Sequence, residues 1–154
     1  MLLEVFVDAD AMPRDALQTI LKMAPEHGAR VVTVSSIAHD VRSQEHITVD
    51  SSPQATDMKI ISLIQRRGST LVITQDYGLA ALALGKGAAA LSPTGLEFTD
   101  QNIDRLLLER ELSAKQRRAT GRSKGPKART EADGERFRDA LQRILERLSP
   151  GASR

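Results

Sequence analysis

The chain has no cysteine and no tryptophan, and its 154 residues include one tyrosine and three phenylalanines. Without cysteine there is neither a disulfide framework nor a thiolate metal site. With aromatics at 3%, the core must be built from Leu, Ile, Val and Ala. No apolar run approaches the ~18 residues of a membrane span, and no basic leader stands ahead of an apolar segment. The expectation is a soluble, cytoplasmic protein with no membrane partner. Its length suits one compact domain with a tail.

What is present is an uneven charge. The net charge is +2, yet residues 1–100 carry 8 Lys and Arg against 12 Asp and Glu, whereas residues 101–154 carry 14 against 8. Seven of the basic residues, Lys115, Arg117, Arg118, Arg122, Lys124, Lys127 and Arg129, fall within 115–129 with no acid among them. Counterion release makes such clusters effective on phosphate backbones, so an acidic body with a basic arm suits a protein that handles a polyanion. The alternative is a solvated surface segment.

Periodicity predicts alternating strands and helices. Leu3–Val7 reads as a buried strand, followed from about Pro13 by a helix with Ala16, Leu17, Ile20, Leu21 and Ala24 on one face and Gly28 closing it. Arg30–Val34 and His46–Val49 read as further strands. Thr56 is a candidate N-cap for a helix bearing Met58, Ile61 and Ile64 and stopped at Gly68. Thr70–Thr74 is a strand, Asp76 opens a helix, and Ala88–Leu91 is a final strand. This alternation predicts a three-layer α/β domain, a mostly parallel sheet covered by helices. A helix is expected from Thr99 to about Arg110, and a loop or arm over 119–129. Thr130 with Asp133 resembles a capping box opening a C-terminal helix, whose stripe of Phe137, Leu141, Ile144, Leu145 and Leu148 must dock on the sheet domain or on a second copy of the chain. The organisation so read is an α/β domain over 1–110 and a basic, helical extension over 111–154.

The string VFVDADAMP at 5–13 carries the chemistry. Asp8 and Asp10 leave the first strand two residues apart, where like charges repel and a hard divalent cation such as Mg²⁺ or Mn²⁺ is the usual remedy. In an open parallel sheet ligands bind beyond the carboxyl ends of the strands. Asp76 leaves the Thr70–Thr74 strand there, and Asp57 begins the helix after the third strand. If the first strand and the Thr70–Thr74 strand are neighbours, the four carboxylates face one crevice, with Ser35, Ser36, Thr74 and Gln75 as supporting ligands. Asp is also a favoured N-cap, so Asp10, Asp57 and Asp76 each have a structural reading. The reaction class implied by a metal site is phosphodiester hydrolysis. His27 falls at the opposite edge, and His39 and His46 lie in a polar loop without spaced partners. Gly85-Lys86-Gly87 lacks the phosphate-loop pattern and reads as a turn. Tyr77 either packs in the core or stacks on a base.

VDADAMP at 7–13, VITQDYGLA at 72–80, KGAAAL at 86–91 and SKGPKARTEADGERF at 123–137 together resemble the YaiI/YqxD family of bacterial proteins, in order and over nearly the whole chain. The resemblance implies a PIN-like (Rossmann-like) sheet domain, similar to the PIN and NYN nuclease folds whose acidic cluster binds divalent metal and cuts RNA. Carried onto this chain, Asp8, Asp10 and Asp76 become catalytic metal ligands, and Asp57 matches less tightly. Family members commonly have Cys where Met12 stands here, so no thiol mechanism extends to this chain.

Two rival functions follow. A non-catalytic RNA-binding or adaptor module would use the basic arm for affinity and the acids as caps. A phosphatase of the haloacid dehalogenase type would use Asp8 as nucleophile, Asp10 as acid/base and Ser35 or Ser36 on the phosphate, but QDYG supplies only one of the paired late acids such a site wants.

Overall fold

The computed structural model describes residues 2–36, 45–52, 54–121 and 128–149. His39 and the arm residues Arg122, Lys124 and Lys127 lie outside the described residues, as does most of the expected loop over 119–129. The elements are β1 (Glu4–Asp8), α1 (Arg14–Glu26), β2 (Arg30–Ser35), β3 (His46–Thr48), α2 (Ala55–Leu63), β4 (Thr70–Ile73), α3 (Tyr77–Gly85), β5 (Ala89–Leu91), β6 (Glu97–Phe98), α4 (Ile103–Thr120) and α5 (Glu131–Leu148). None of the described helices is long and apolar enough to cross a membrane.

The strands form one sheet in the order β3-β2-β1-β4-β5-β6, parallel except for β6, which runs antiparallel to β5. The chain builds outward from β1 to β3 on one side, then returns to lay β4 against β1 and build outward on the other. The order reverses between β1 and β4, where the helices that follow these strands part and leave a crevice. Val7 is level with Ile73 in that pair, so the next residues, Asp8 and Thr74, emerge side by side.

Strand alternation assigns the two faces. Val5 and Val7 of β1 and Leu71 and Ile73 of β4 pack on one side with Ala16, Ile20 and Ala24 of α1 and Phe137, Leu141 and Ile144 of α5. Phe6, Val32, Val34 and Val72 point the other way, onto Ile60 of α2 and Leu79 and Ala83 of α3. A third group joins Ala80 and Ala90 to Phe98, Ile103 and Leu106, seating α4 beside α3. At ~25 cal/mol per Å² of apolar area, each fully buried Leu, Ile or Phe contributes roughly 1.5–3 kcal/mol.

The C-terminal stripe docks on the chain's own α1 and sheet. Thr130 Oγ1 accepts from the Asp133 amide and the Asp133 side chain accepts from the Thr130 amide, completing the expected capping box. Just ahead of it Arg129 donates to Asp15 of α1 at 2.8 Å and to the Pro93 carbonyl at 2.6 Å. At the far end Arg147 pairs with Glu97 of β6 at 2.6 Å.

Several expectations about elements are corrected. Ala88–Leu91 is not the last strand. The two-residue β6 follows it, too short to show alternation, across a turn at Gly95 with φ +93°. The helix expected to end near Arg110 runs on to Thr120, because residues 109–118 are mostly strong helix formers and no stop signal comes before Gly121 at φ +66°. Thr56 is not an N-cap: Gln54 holds that position at φ 69°, without a side-chain cap bond. Helix α2 turns Thr56 and Ile60 inward and leaves Met58 70% exposed, while Ile64 of the predicted stripe is buried and Ile61 packs at the edge of the same cluster. It stops at Leu63, with Ile64 already extended, well before Gly68.

Candidate active site

The crevice at the β1/β4 switch has a volume of about 500 Å³, and its walls include Asp8, Asp10, Asp57, Asp76, Gln75 and Arg110. The four acids named from the sequence therefore share one cavity, arriving from β1 and the turn after it, from the first turn of α2 and from the start of α3. Each is held differently. The Thr74 hydroxyl donates to Asp8 Oδ2 at 2.8 Å and accepts the Asp76 amide at 2.9 Å, so one side chain sets two acids. Asp10 Oδ1 accepts the Ser36 amide at 2.7 Å and Oδ2 the Thr56 hydroxyl at 2.9 Å, tying the ends of β2 and α2 to the loop after β1. Asp76 Oδ1 caps α3 by accepting the Gly78 and Leu79 amides at 2.8 and 3.2 Å. A Cβ on Gly78 would sit 3.1 Å from that oxygen, so the glycine keeps the cap uncrowded.

Of the three structural readings, only the Asp76 cap is realised. The N-cap of α1 is Pro13, with no side-chain cap bond, and Asp57 lies inside α2 rather than capping it. Asp10 and Asp57 thus line the crevice without capping a helix.

The electrostatics are those of crowded acids. Burial raises the Asp8 pKa, reinforced by the charges of Asp10 and Asp76 and opposed by the Thr74 hydrogen bond. The Asp57 pKa is pushed up to about 6, first by burial, then by Asp76 and Asp8, by a hydrogen bond with Asp76, and by Asp10. Burial and the neighbouring acids together favour the protonated form of Asp57. Among the described residues Arg110 is the only basic side chain lining the cavity, and its Nη1 stands 3.6 Å from Asp76 Oδ1, too long for a hydrogen bond.

The all-oxygen donor set and its mutual repulsion fit a hard divalent ion. Among the described residues no three Asp, Glu, His or Cys side chains are grouped tightly enough to hold an ion in common. Mg²⁺ commonly keeps several waters and takes only one or two carboxylates directly.

The supporting residues divide. Ser36, Thr74 and Gln75 serve the site; Gln75 Nε2 donates to the Ala11 carbonyl and braces the loop after β1. Ser35 does not join them. It is buried on the opposite face of β2, hydrogen-bonded to His46 Nε2 at 3.1 Å, and so it is not placed to serve a dehalogenase-type phosphate site. Period-two alternation turns the Ser35 side chain away, whereas Ser36 reaches Asp10 through its backbone amide, which no side-chain pattern marks. His27 stays away from the crevice, its Nδ1 against the Met23 carbonyl. Met12 packs against the core beside α1. Of the basic residues, Lys115, Arg117 and Arg118 are exposed on α4, while Arg129 is committed to Asp15 and Pro93. Arg110 was missed by sequence reasoning, and no local signal marks it, since only the packing of α4 on α3 carries it to the acids.

Comparison with known proteins is consistent across the chain. The family model described as "Uncharacterized BCR, YaiI/YqxD family" matches residues 6–147. A "UPF0178 protein" of Heliobacterium modesticaldum is 41% identical over 143 residues, 93% of this chain and 97% of that protein. Another, from Ruminiclostridium cellulolyticum, is 40% identical over 151 residues, covering 97% and 96%. A third, from Enterococcus faecalis, is 39% identical over 150 residues, covering 94% and 99%. No solved structure matches significantly.

Proposed function

The chain belongs to the YaiI/YqxD family, and we propose that it is a divalent-metal-dependent phosphodiester hydrolase of PIN-like type, with RNA as substrate. The observation that carries this reading is the meeting of four carboxylates from three separate segments in one crevice, where burial first and the neighbouring acids next push Asp57 up to about 6. A stable fold has no need of such repulsion, and acids forced together at a cavity mark functional sites.

In this reading Asp8, Asp10, Asp57 and Asp76 hold Mg²⁺ or Mn²⁺. Such an ion, when bound, supplies Lewis acidity at a phosphoryl oxygen and makes water a competent nucleophile near neutral pH. The residues supply the frame. Thr74 fixes Asp8 relative to Asp76, and Ser36 and Thr56 orient Asp10. The exposed Lys115, Arg117 and Arg118 continue from the crevice along α4 and meet the phosphates of a polyanion.

A second reading, a nucleic-acid-binding module without catalysis, is favoured by the wide spacing of the acids and by the structural bonds that occupy Asp10 and Asp76. Calorimetric titration with Mn²⁺ separates the two. Asp8→Asn and Asp76→Asn keep an oxygen for Thr74 and for the α3 cap, so both variants should fold. The hydrolase reading expects wild-type binding that weakens at least about 10-fold in each. Absence of Mn²⁺ binding to the wild type would leave the binding module.

A further inference from the structure

Beside the acid crevice lies a second cavity of about 450 Å³, which shares Gln75 and Arg110 with it and is otherwise lined by Tyr77, Leu106, Glu109 and Ser113. Tyr77 directly follows Asp76 in the chain. Its ring is braced edge-on by Phe98, with centroids 5.3 Å apart at 65°, yet it remains partly exposed. Arg110 spans both cavities. Its guanidinium stands 6.0 Å from the Tyr77 centroid, at the outer limit of a cation–π contact, and 3.6 Å from Asp76. Neither contact is strong at an exposed position, so Arg110 can leave both at little cost. Glu109, the one acid of this cavity among the described residues, already pairs with Arg105 at 3.0 Å.

We propose that Tyr77 and Arg110 form a nucleotide subsite in which an unstacked base lies on the Tyr77 ring and Arg110 swings from Asp76 to the adjoining phosphate. This deepens the hydrolase reading, on which it rests, by naming the substrate class as single-stranded nucleic acid. A base inside a duplex is covered on both faces and cannot lie on the ring, whereas an exposed aromatic beside a cation suits single strands. The strand has an exit path. Ser113 and Arg117 follow Arg110 at i+3 and i+7 on one face of α4, so Arg117 stands about 10 Å further along the helix. A chain leaving the acid crevice would meet Arg110 first and Arg117 next.

The single tyrosine and the absence of tryptophan make the test direct, because intrinsic emission reports Tyr77 alone. Short oligouridylate and oligothymidylate are titrated into the full chain under chelator, with a duplex of equal length in parallel and binding also followed by anisotropy. Single strands should quench the tyrosine and the duplex should not. Quenching by either oligomer supports the subsite, and the tighter of the two identifies its source. Tyr77→Ala should weaken binding about 10-fold while Tyr77→Phe restores it to within about twofold. Arg110→Ala, at an exposed position that leaves folding intact, should weaken binding about 10-fold and reduce the salt slope by about 0.7. The subsite is overturned if the oligomers do not bind, if they bind without changing the tyrosine, if the duplex quenches equally, or if Arg110→Ala binds like wild type. Chelator makes these results independent of the Mn²⁺ titration, so the metal reading can fail while the subsite stands, and the reverse.

Discussion

Replacing Asp57 with Asn should make the protein more stable at neutral pH, and the gain should vanish in acid. In the folded protein this carboxyl titrates at about 6 rather than at 3.8, so the native state holds its proton more tightly than the unfolded chain does. Between about pH 4 and pH 6 the native state binds more protons, and stability therefore falls as pH rises through that window. At ~1.36 kcal/mol per pKa unit the full shift corresponds to about 3 kcal/mol. Asp57 is only half-buried, and solvent screening brings the expected penalty to about 1 kcal/mol. Its place in the first turn of α2 works the other way, since a helix N-terminus favours a negative charge by roughly 0.3–1 kcal/mol. The raised pKa means that desolvation and repulsion outweigh this benefit. Urea denaturation followed by circular dichroism, under chelator from pH 4 to pH 8, measures the balance. Asp57→Asn should match wild type near pH 4 and exceed it by about 1 kcal/mol at pH 7.5, equivalent to roughly 2–4 °C in Tm. A variant no more stable than wild type at pH 7.5, or an advantage that persists unchanged into acid, would refute the reasoning.

Two further predictions concern how the C-terminal helix is held. Arg129→Ala removes charge-assisted bonds to Asp15 and to the Pro93 carbonyl, and should cost about 2 kcal/mol in the urea midpoint analysis; wild-type stability in this variant would mean that the clamp is ornamental. Gly95→Ala forces a side chain onto φ +93° and sets its Cβ 2.7 Å from the Arg136 carbonyl carbon. It should destabilise the protein by more than about 1 kcal/mol and speed amide exchange in β6, and unchanged exchange at Phe98 would count against that close approach.

The α/β architecture was legible because its signals are local. Apolar runs at β1, β2 and β4 and the stripes of α1 and α5 are patterns a chain must carry to bury one face, and the Thr130–Asp133 box lies within four residues. Elsewhere the local signals are weak. Helix α2 has so many apolar residues around its circumference that Met58 and Ile60 compete for the core, and the sheet, not the pattern, chose Ile60. Strand β6 is too short for any periodicity. The length of α4 followed propensity alone, with nothing before Gly121 to end it.

For the site, the sequence by itself determined which acids stand at strand exits, because a buried strand that runs into Asp8 or Asp76 must release its charge where the sheet ends. It also determined that no thiol takes part. Whether these acids meet was decided only by tertiary structure. The reversal of strand order at β1 and β4 sets Asp8 beside Thr74, the opposite pleat removes Ser35, and the seating of α4 on α3 brings Arg110 to both the acids and Tyr77. Such proximities depend on which elements are neighbours, and non-local packing free energy settles that choice, which no stretch of residues encodes alone.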